Sequence, residues 1–119
     1  MKKRILICDD EEGIRESLNL ILEDDYKISF ANNGEEALEY LKKESTDLVI
    51  LDIKMPKLDG LKTLKEIRKA LPQQKVIIAT GYQSIETATE SSQLGAADYI
   101  TKPFETEKIL KTVSTIIHG

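Results

Sequence analysis

Residues 48–60 read LVILDIKMPKLDG: four apolar residues run straight into Asp52, and a turn containing Pro56 follows. An apolar run this short, bounded by turn signals, fits a strand buried on both faces, as in a parallel sheet. An Asp ending such a strand stands at the carboxyl edge of the sheet, where open α/β folds place their ligands. Alone, the same Asp could equally cap the turn, so the flanking chain has to decide.

Toward the amino terminus, Lys27–Ala31 is a short alternating strand closed by the Asn32-Asn33-Gly34 turn, and Arg4–Cys8 is an apolar strand that stops on Asp9 and Asp10. From Glu12, Ile14, Leu18, Ile21 and Leu22 recur at helical spacing, and Ala37, Leu38 and Leu41 mark a second helix. Toward the carboxyl terminus, Leu61, Leu64, Ile67 and Leu71 line one side of a third helix that Pro72 closes. Val76–Ala79 is another buried-strand run, ending in Thr80-Gly81. Ser84–Leu94 reads as a poor helix: its interior is rich in Thr and Ser, only Ile85 and Ala88 have much to bury, and Gly95 ends it. Asp98–Thr101 is the last strand, followed by Lys102-Pro103 and by the strongest amphipathic helix, carrying Ile109, Leu110, Val113, Ile116 and Ile117. Five strands alternating with five helices predict an α/β fold, a parallel sheet with helices on both faces.

The 119 residues predict a single domain over 1–119, either complete or a module cut from a longer protein, with enough chain for one core. A net charge of −4 argues against nucleic-acid contact by this chain, and the basic cluster Lys2-Lys3-Arg4 only precedes a strand. The opening MKKRILIC is too short in apolar residues for a signal peptide, and no run approaches a membrane span. Cys8 has no disulfide partner, so the expected setting is cytoplasmic, and Cys8 reads as a small buried hydrophobe.

In a parallel sheet all carboxyl ends share one edge. Strand one brings Asp9 and Asp10 there, strand three Asp52, strand four Thr80 and strand five Lys102. Unit charges ~4 Å apart at an effective dielectric of ~20 repel by ~4 kcal/mol. If strands one, three and four are neighbours, three carboxylates converge and must protonate, spread apart or hold a cation. Carboxylate oxygens with room for water suit Mg²⁺, with Mn²⁺ also acceptable, whereas one Cys and one His do not suit zinc. An acidic helix start favoured by the macrodipole accounts for Glu11 and Glu12, but not for Asp52, Thr80 and Lys102 on the same edge. No Gly-x-Gly or Gly-Lys pair exists for a dinucleotide or P-loop site, and an EF-hand register puts Cys8 and Asn19 at ligand positions. His118 reads as an exposed cation at a helix end.

Asp9-Asp10, Asp52 with Met55-Pro56 and Asp59-Gly60, Thr80-Gly81, Gly95-Ala96, and Tyr99 followed by Lys102-Pro103-Phe104 closely resemble the receiver domain of two-component response regulators, in order and at the expected spacings. The resemblance implies a flavodoxin-like doubly wound (βα)5 fold with strand order 2-1-3-4-5. It implies that Asp52 is the phosphoacceptor, taking its phosphoryl group from a phosphohistidine on a sensor histidine kinase or a histidine phosphotransfer protein. It further implies that Asp10 and Asp52 bind Mg²⁺ directly, Asp9 through water and Lys54 through its backbone carbonyl, with Lys102 and Thr80 supplying the remaining charge and donor. Thr80 and Tyr99 would form the switch, and the fourth helix, fifth strand and fifth helix the output face toward an output domain or target protein. Gly81, in the same motif as Thr80, is expected with Lys54 and Tyr82 to modulate the site. Lys54 and Tyr82 would flank the path of an attacking water, so slow self-dephosphorylation is expected. Ile14, on the rim of the first helix, reads either as core or as part of the donor dock.

Two other functions compete. A Mg²⁺-dependent phosphatase with Asp52 as nucleophile would need a general acid two residues on, where Lys54 stands. A flavin carrier of similar fold would need a phosphate loop where the chain has acids. The expectation is a signalling switch whose only chemistry is its own phosphorylation and dephosphorylation, not an enzyme acting on other substrates.

Overall fold

A computed structural model describes residues 2–52, 60–80, 85–101 and 104–119, with backbone only for Thr80 and residues 85–88. The elements are β1 (Lys3–Cys8), α1 (Glu12–Leu22), β2 (Tyr26–Ala31), α2 (Gly34–Lys43), β3 (Leu48–Leu51), α3 (Gly60–Ala70), β4 (Val76–Thr80), α4 (Ile85–Gln93), β5 (Asp98–Thr101) and α5 (Thr106–His118). All five strands pair in parallel in the order β2-β1-β3-β4-β5, the doubly wound arrangement expected. The observed strand ends differ from the sequence expectation by one residue at Lys3, Tyr26 and Thr80. Tyr26 starts β2 because its ring is buried, a contribution the alternation of the following residues did not reveal.

The central strands are continuous apolar runs because helices cover both faces. Ile5–Cys8 and Leu48–Leu51 are all buried. Alternate residues go to opposite layers. Ile5, Ile7, Leu48, Ile50, Ile77 and Ile100 face α1 and α5, meeting Leu18, Leu22, Ile109, Val113 and Ile117. Leu6, Cys8, Val49, Leu51, Val76 and Ile78 face the other way, onto Ala37 and Leu41 of α2 and Leu64 and Ile67 of α3. Ile14 is half-buried against the first of these layers.

Helix ends are fixed by local chemistry. Asn33 caps α2: its side chain accepts the Glu36 N–H at 3.0 Å, while the Glu36 carboxylate accepts the Asn32 N–H at 2.9 Å. The Asn-Asn-Gly stretch is thus both a turn and a helix start. α4 closes in a Schellman arrangement, with Gly95 N–H on the Ser92 carbonyl and Ala96 N–H on the Ser91 carbonyl, both at 3.0 Å, and Gly95 at φ 89°. Leu71 lies just past α3, its N–H still donating to the Ile67 carbonyl. The Ser84 start expected for the fourth helix, and the side chains of Ile85 and Ala88, lie outside the described residues. No helix among the described residues is long and apolar enough to cross a membrane.

Candidate functional site

The strand register decides which residues meet. Cys8 is level with Ala31 on one side and Leu51 on the other. Asp9 and Asp52 are therefore the first residues past the paired ends of neighbouring strands. Asp9 N–H donates to the Ala31 carbonyl at 3.2 Å, and Asp52 N–H to the Cys8 carbonyl at 3.0 Å, so the sheet's bonding pattern runs on just far enough to fix both. Both side chains are buried, at 2% and 3% exposure, at the carboxyl edge. Asp10 and Glu11 follow on the exposed loop into α1.

One carboxylate oxygen from each of Asp9, Asp10, Glu11 and Asp52 lies within 4.8 Å of the others. The three aspartates are the group the sequence analysis expected. Glu11, which the sequence accounts for as part of an acidic helix start, joins the cluster. It is the N-cap residue of α1, its backbone is extended, and its side chain makes no capping bond. Its N–H donates to Asp9 Oδ1 at 2.9 Å. The sequence carries the signal, since Glu11 is the third acid after a strand that stops abruptly, but an acid at a helix start also has a sufficient explanation in the macrodipole.

The donor set tests well against a hard divalent cation. Neighbouring oxygens around one octahedral Mg²⁺ lie about 3 Å apart, so four oxygens within 4.8 Å of one another need to close by at most about 2 Å, within reach of side-chain rotation, to share it. Carboxylates alone, with no His or thiolate, suit Mg²⁺ or Mn²⁺ and not zinc. Cys8 directly beneath does not contribute a thiolate. Burial pushes its thiol up to about 12, with Asp9, Asp52, Glu36 and Asp10 adding to the rise. Its Sγ donates to the Asn33 carbonyl at 3.3 Å. Cys8 is the buried hydrophobe the sequence implied.

The other expected site residues divide into two groups. Thr80 ends β4 level with Thr101 of β5, on the same edge of the sheet. Tyr99, on β5, is half-buried against the layer that holds α2 and α3, beside a cavity of ≈ 230 Å³ lined by Ser91, Ser92, Ala96, Ala97 and Asp98. Lys54, Met55, Pro56, Asp59, Gly81, Tyr82, Lys102 and Pro103 lie outside the described residues. The larger depressions among the described residues, ≈ 500 and ≈ 760 Å³, sit by Lys3, Gln74 and Ile117 and by Lys2, Tyr26 and His118. They flank the amino ends of the strands, away from the carboxylates, and the chemistry of the donor set outweighs their size.

Comparison with known proteins agrees with this arrangement. The sequence model of the response regulator receiver domain matches residues 5–114. Sporulation initiation phosphotransferase F of Bacillus subtilis is 40% identical over 114 residues, covering 95% of this chain and 92% of that protein. The transcriptional regulatory protein ZraR of Klebsiella oxytoca is 40% identical over 111 residues, but the chain spans 25% of its length, and 23% of the regulatory protein AtoC of Escherichia coli. Among solved structures, a CheY-like receiver domain from Methanospirillum hungatei superposes with a TM-score of 0.94 at 34% identity, covering 99% of this chain and 95% of that one. The chemotaxis protein CheY4 of Vibrio cholerae gives 0.92 at 29% identity, covering 98% and 99%.

Proposed function

As the chain belongs to the response regulator receiver domain family, we propose that it is a phosphorylation-operated signalling switch in which Asp52 is the phosphoacceptor. The observation that carries this reading is the convergence of the Asp9, Asp10, Glu11 and Asp52 carboxylates at the carboxyl edge of the sheet. Receiver domains generally bind Mg²⁺ at an acidic pocket, and this donor set fits that ion. Asp10 and Asp52 would hold it directly and Asp9 through water, with the Lys54 carbonyl as a further ligand. Bound there, Mg²⁺ supplies positive charge against the phosphoryl oxygens.

An Asp52 carboxylate oxygen attacks the phosphorus of a phosphohistidine. The P–N bond breaks, its electron pair stays on the imidazole nitrogen, and the product is an aspartyl phosphate. Loose phosphoryl transfer asks the protein for positioning and charge more than for covalent work. Lys102 and the Thr80 hydroxyl would serve the phosphoryl oxygens, with Gly81 and Tyr82 bordering them and Lys54 shielding the acyl phosphate. The phosphoryl adds roughly −1.5 to −2 charges, which Thr80 would follow and Tyr99 would answer by turning inward. The donor is a sensor histidine kinase or a histidine phosphotransfer protein in the cytoplasm. The readout is a target or output domain meeting α4, β5 and α5. Similarity to a sporulation phosphotransferase over nearly its whole length favours a phosphorelay step.

The test is incubation with acetyl phosphate, with and without Mg²⁺, followed by intact-mass spectrometry. One phosphoryl adduct is expected on the wild type only with Mg²⁺, and none on Asp52→Ala. An adduct on Asp52→Ala equal to that on the wild type would overturn the assignment.

A further inference from the structure

Three parts of the chain hold the polar groups of Asp9. Its N–H donates to β2 at Ala31, its Oδ1 accepts the Glu11 N–H, and its backbone carbonyl accepts Nη1 of Arg15 at 2.7 Å. The paired register of β1 ends at Cys8, so the Asp9 carbonyl lies beyond the ladder. Arg15 stands one turn into α1, its own N–H on the Glu11 carbonyl at 3.1 Å. The N-cap side chain makes no capping bond, and this guanidinium ties the first turn of α1 directly to the end of β1. The segment it spans, residues 9–11, carries three of the four clustered carboxylates.

We propose that Arg15 is a positioning residue for the divalent-cation site, bracing the loop from β1 to α1 so that Asp9, Asp10 and Glu11 face Asp52. The inference rests on the reading that this cluster holds Mg²⁺. Arg15 is a cation beside a cation site, so by charge alone its removal would tighten Mg²⁺ binding. As a brace, its removal must weaken it, since the groups that orient metal ligands typically change affinity by roughly tenfold or more when lost.

Calorimetric titration of the whole chain with Mg²⁺ decides between them, using wild type, Arg15→Ala, Arg15→Lys and Arg4→Ala. Arg4 pairs with Glu44 at the other end of β1, so its loss removes one positive charge without touching the loop. Roughly tenfold weaker binding is expected for Arg15→Ala, an intermediate affinity for Arg15→Lys, and a change under about twofold for Arg4→Ala. Arg15→Ala binding as tightly as wild type or tighter, or Arg15→Lys binding no better than Arg15→Ala, overturns the proposal. Should Arg15→Ala fail to fold, by far-UV circular dichroism, Arg15→Lys decides alone: weaker binding than wild type supports the brace, equal or tighter binding overturns it. A wild type that binds no Mg²⁺ overturns the metal-site reading itself, a distinguishable failure that takes this proposal with it.

Discussion

Replacing Asp52 by Asn should make the metal-free protein more stable, because the site is built against the fold. In the absence of a cation, the Asp52 carboxylate lies within 4.8 Å of three others. One such pair repels by about 3 kcal/mol at an effective dielectric of ~20, and by about 1 kcal/mol in bulk water. Asp9 is buried with Asp52, so their pair lies toward the larger figure, while the exposed Asp10 and Glu11 contribute toward the smaller. Asn keeps an acceptor oxygen but loses some charge-assisted hydrogen bonding, which offsets part of the relief. A net gain of about 2 kcal/mol is expected, or roughly 8 °C in melting temperature for a domain of this size. Thermal and urea unfolding in EDTA, then in excess Mg²⁺, is the assay. Saturating Mg²⁺ stabilises the wild type by about 3 kcal/mol at a hundredfold excess over Kd, so the gap should close or reverse. Asp52→Asn melting at or below wild type in EDTA, or a gap unchanged by Mg²⁺, would show that the clustered charges do not strain the metal-free fold.

Other perturbations test the remaining parts. Glu11→Gln should weaken Mg²⁺ binding several-fold, since it removes one of the four clustered charges, whereas Glu12→Gln should not; equal effects in calorimetry would return Glu11 to a helix-start role. Gly95→Ala should cost about 1–3 kcal/mol in urea unfolding, from the left-handed backbone at φ 89° and a new Cβ 3.2 Å from Cδ and Nε of Arg68. Arg68 cannot swing away freely, because its guanidinium donates to the carbonyls of Pro72 and Gln74. The Cys8 thiol, raised from 9.0 to about 12 by burial, should resist thiol reagents at pH 8 until the protein unfolds. Its folded-state value is the higher, so its stabilising effect is complete below pH 9 and is lost as pH rises from 9 toward 12, by up to about 4 kcal/mol. The stability difference between wild type and Cys8→Ala should narrow over that range.

The fold was legible because burial on both faces leaves unmistakable apolar runs: Ile5–Cys8, Leu48–Leu51 and Val76–Ala79 all read as strands and are buried strands. Strand order was not readable from those runs, since identical patterns fit other orders, and it came from the resemblance. The aspartates were legible as abrupt ends of strands. Glu11 was not, because an acid at a helix start has a sufficient local explanation, and only the register that sets Asp9 beside Asp52 reveals the company it keeps. Arg15 and Asn33 were missed for a related reason. Their work is to satisfy main-chain groups at the ends of β1 and α2, and composition and periodicity carry no trace of that.

If the clustered acids share a divalent cation so that Asp52 can accept a phosphoryl group, the adduct must form at Asp52 and must need the ion. Borohydride reduction of the acetyl-phosphate-treated chain, followed by peptide mass spectrometry, tests it most directly, because an aspartyl phosphate is reduced to homoserine. The prediction is homoserine at position 52 alone, present with Mg²⁺ and absent in EDTA. Homoserine at another aspartate, a reduced glutamate, or equal labelling of position 52 in EDTA, would contradict it.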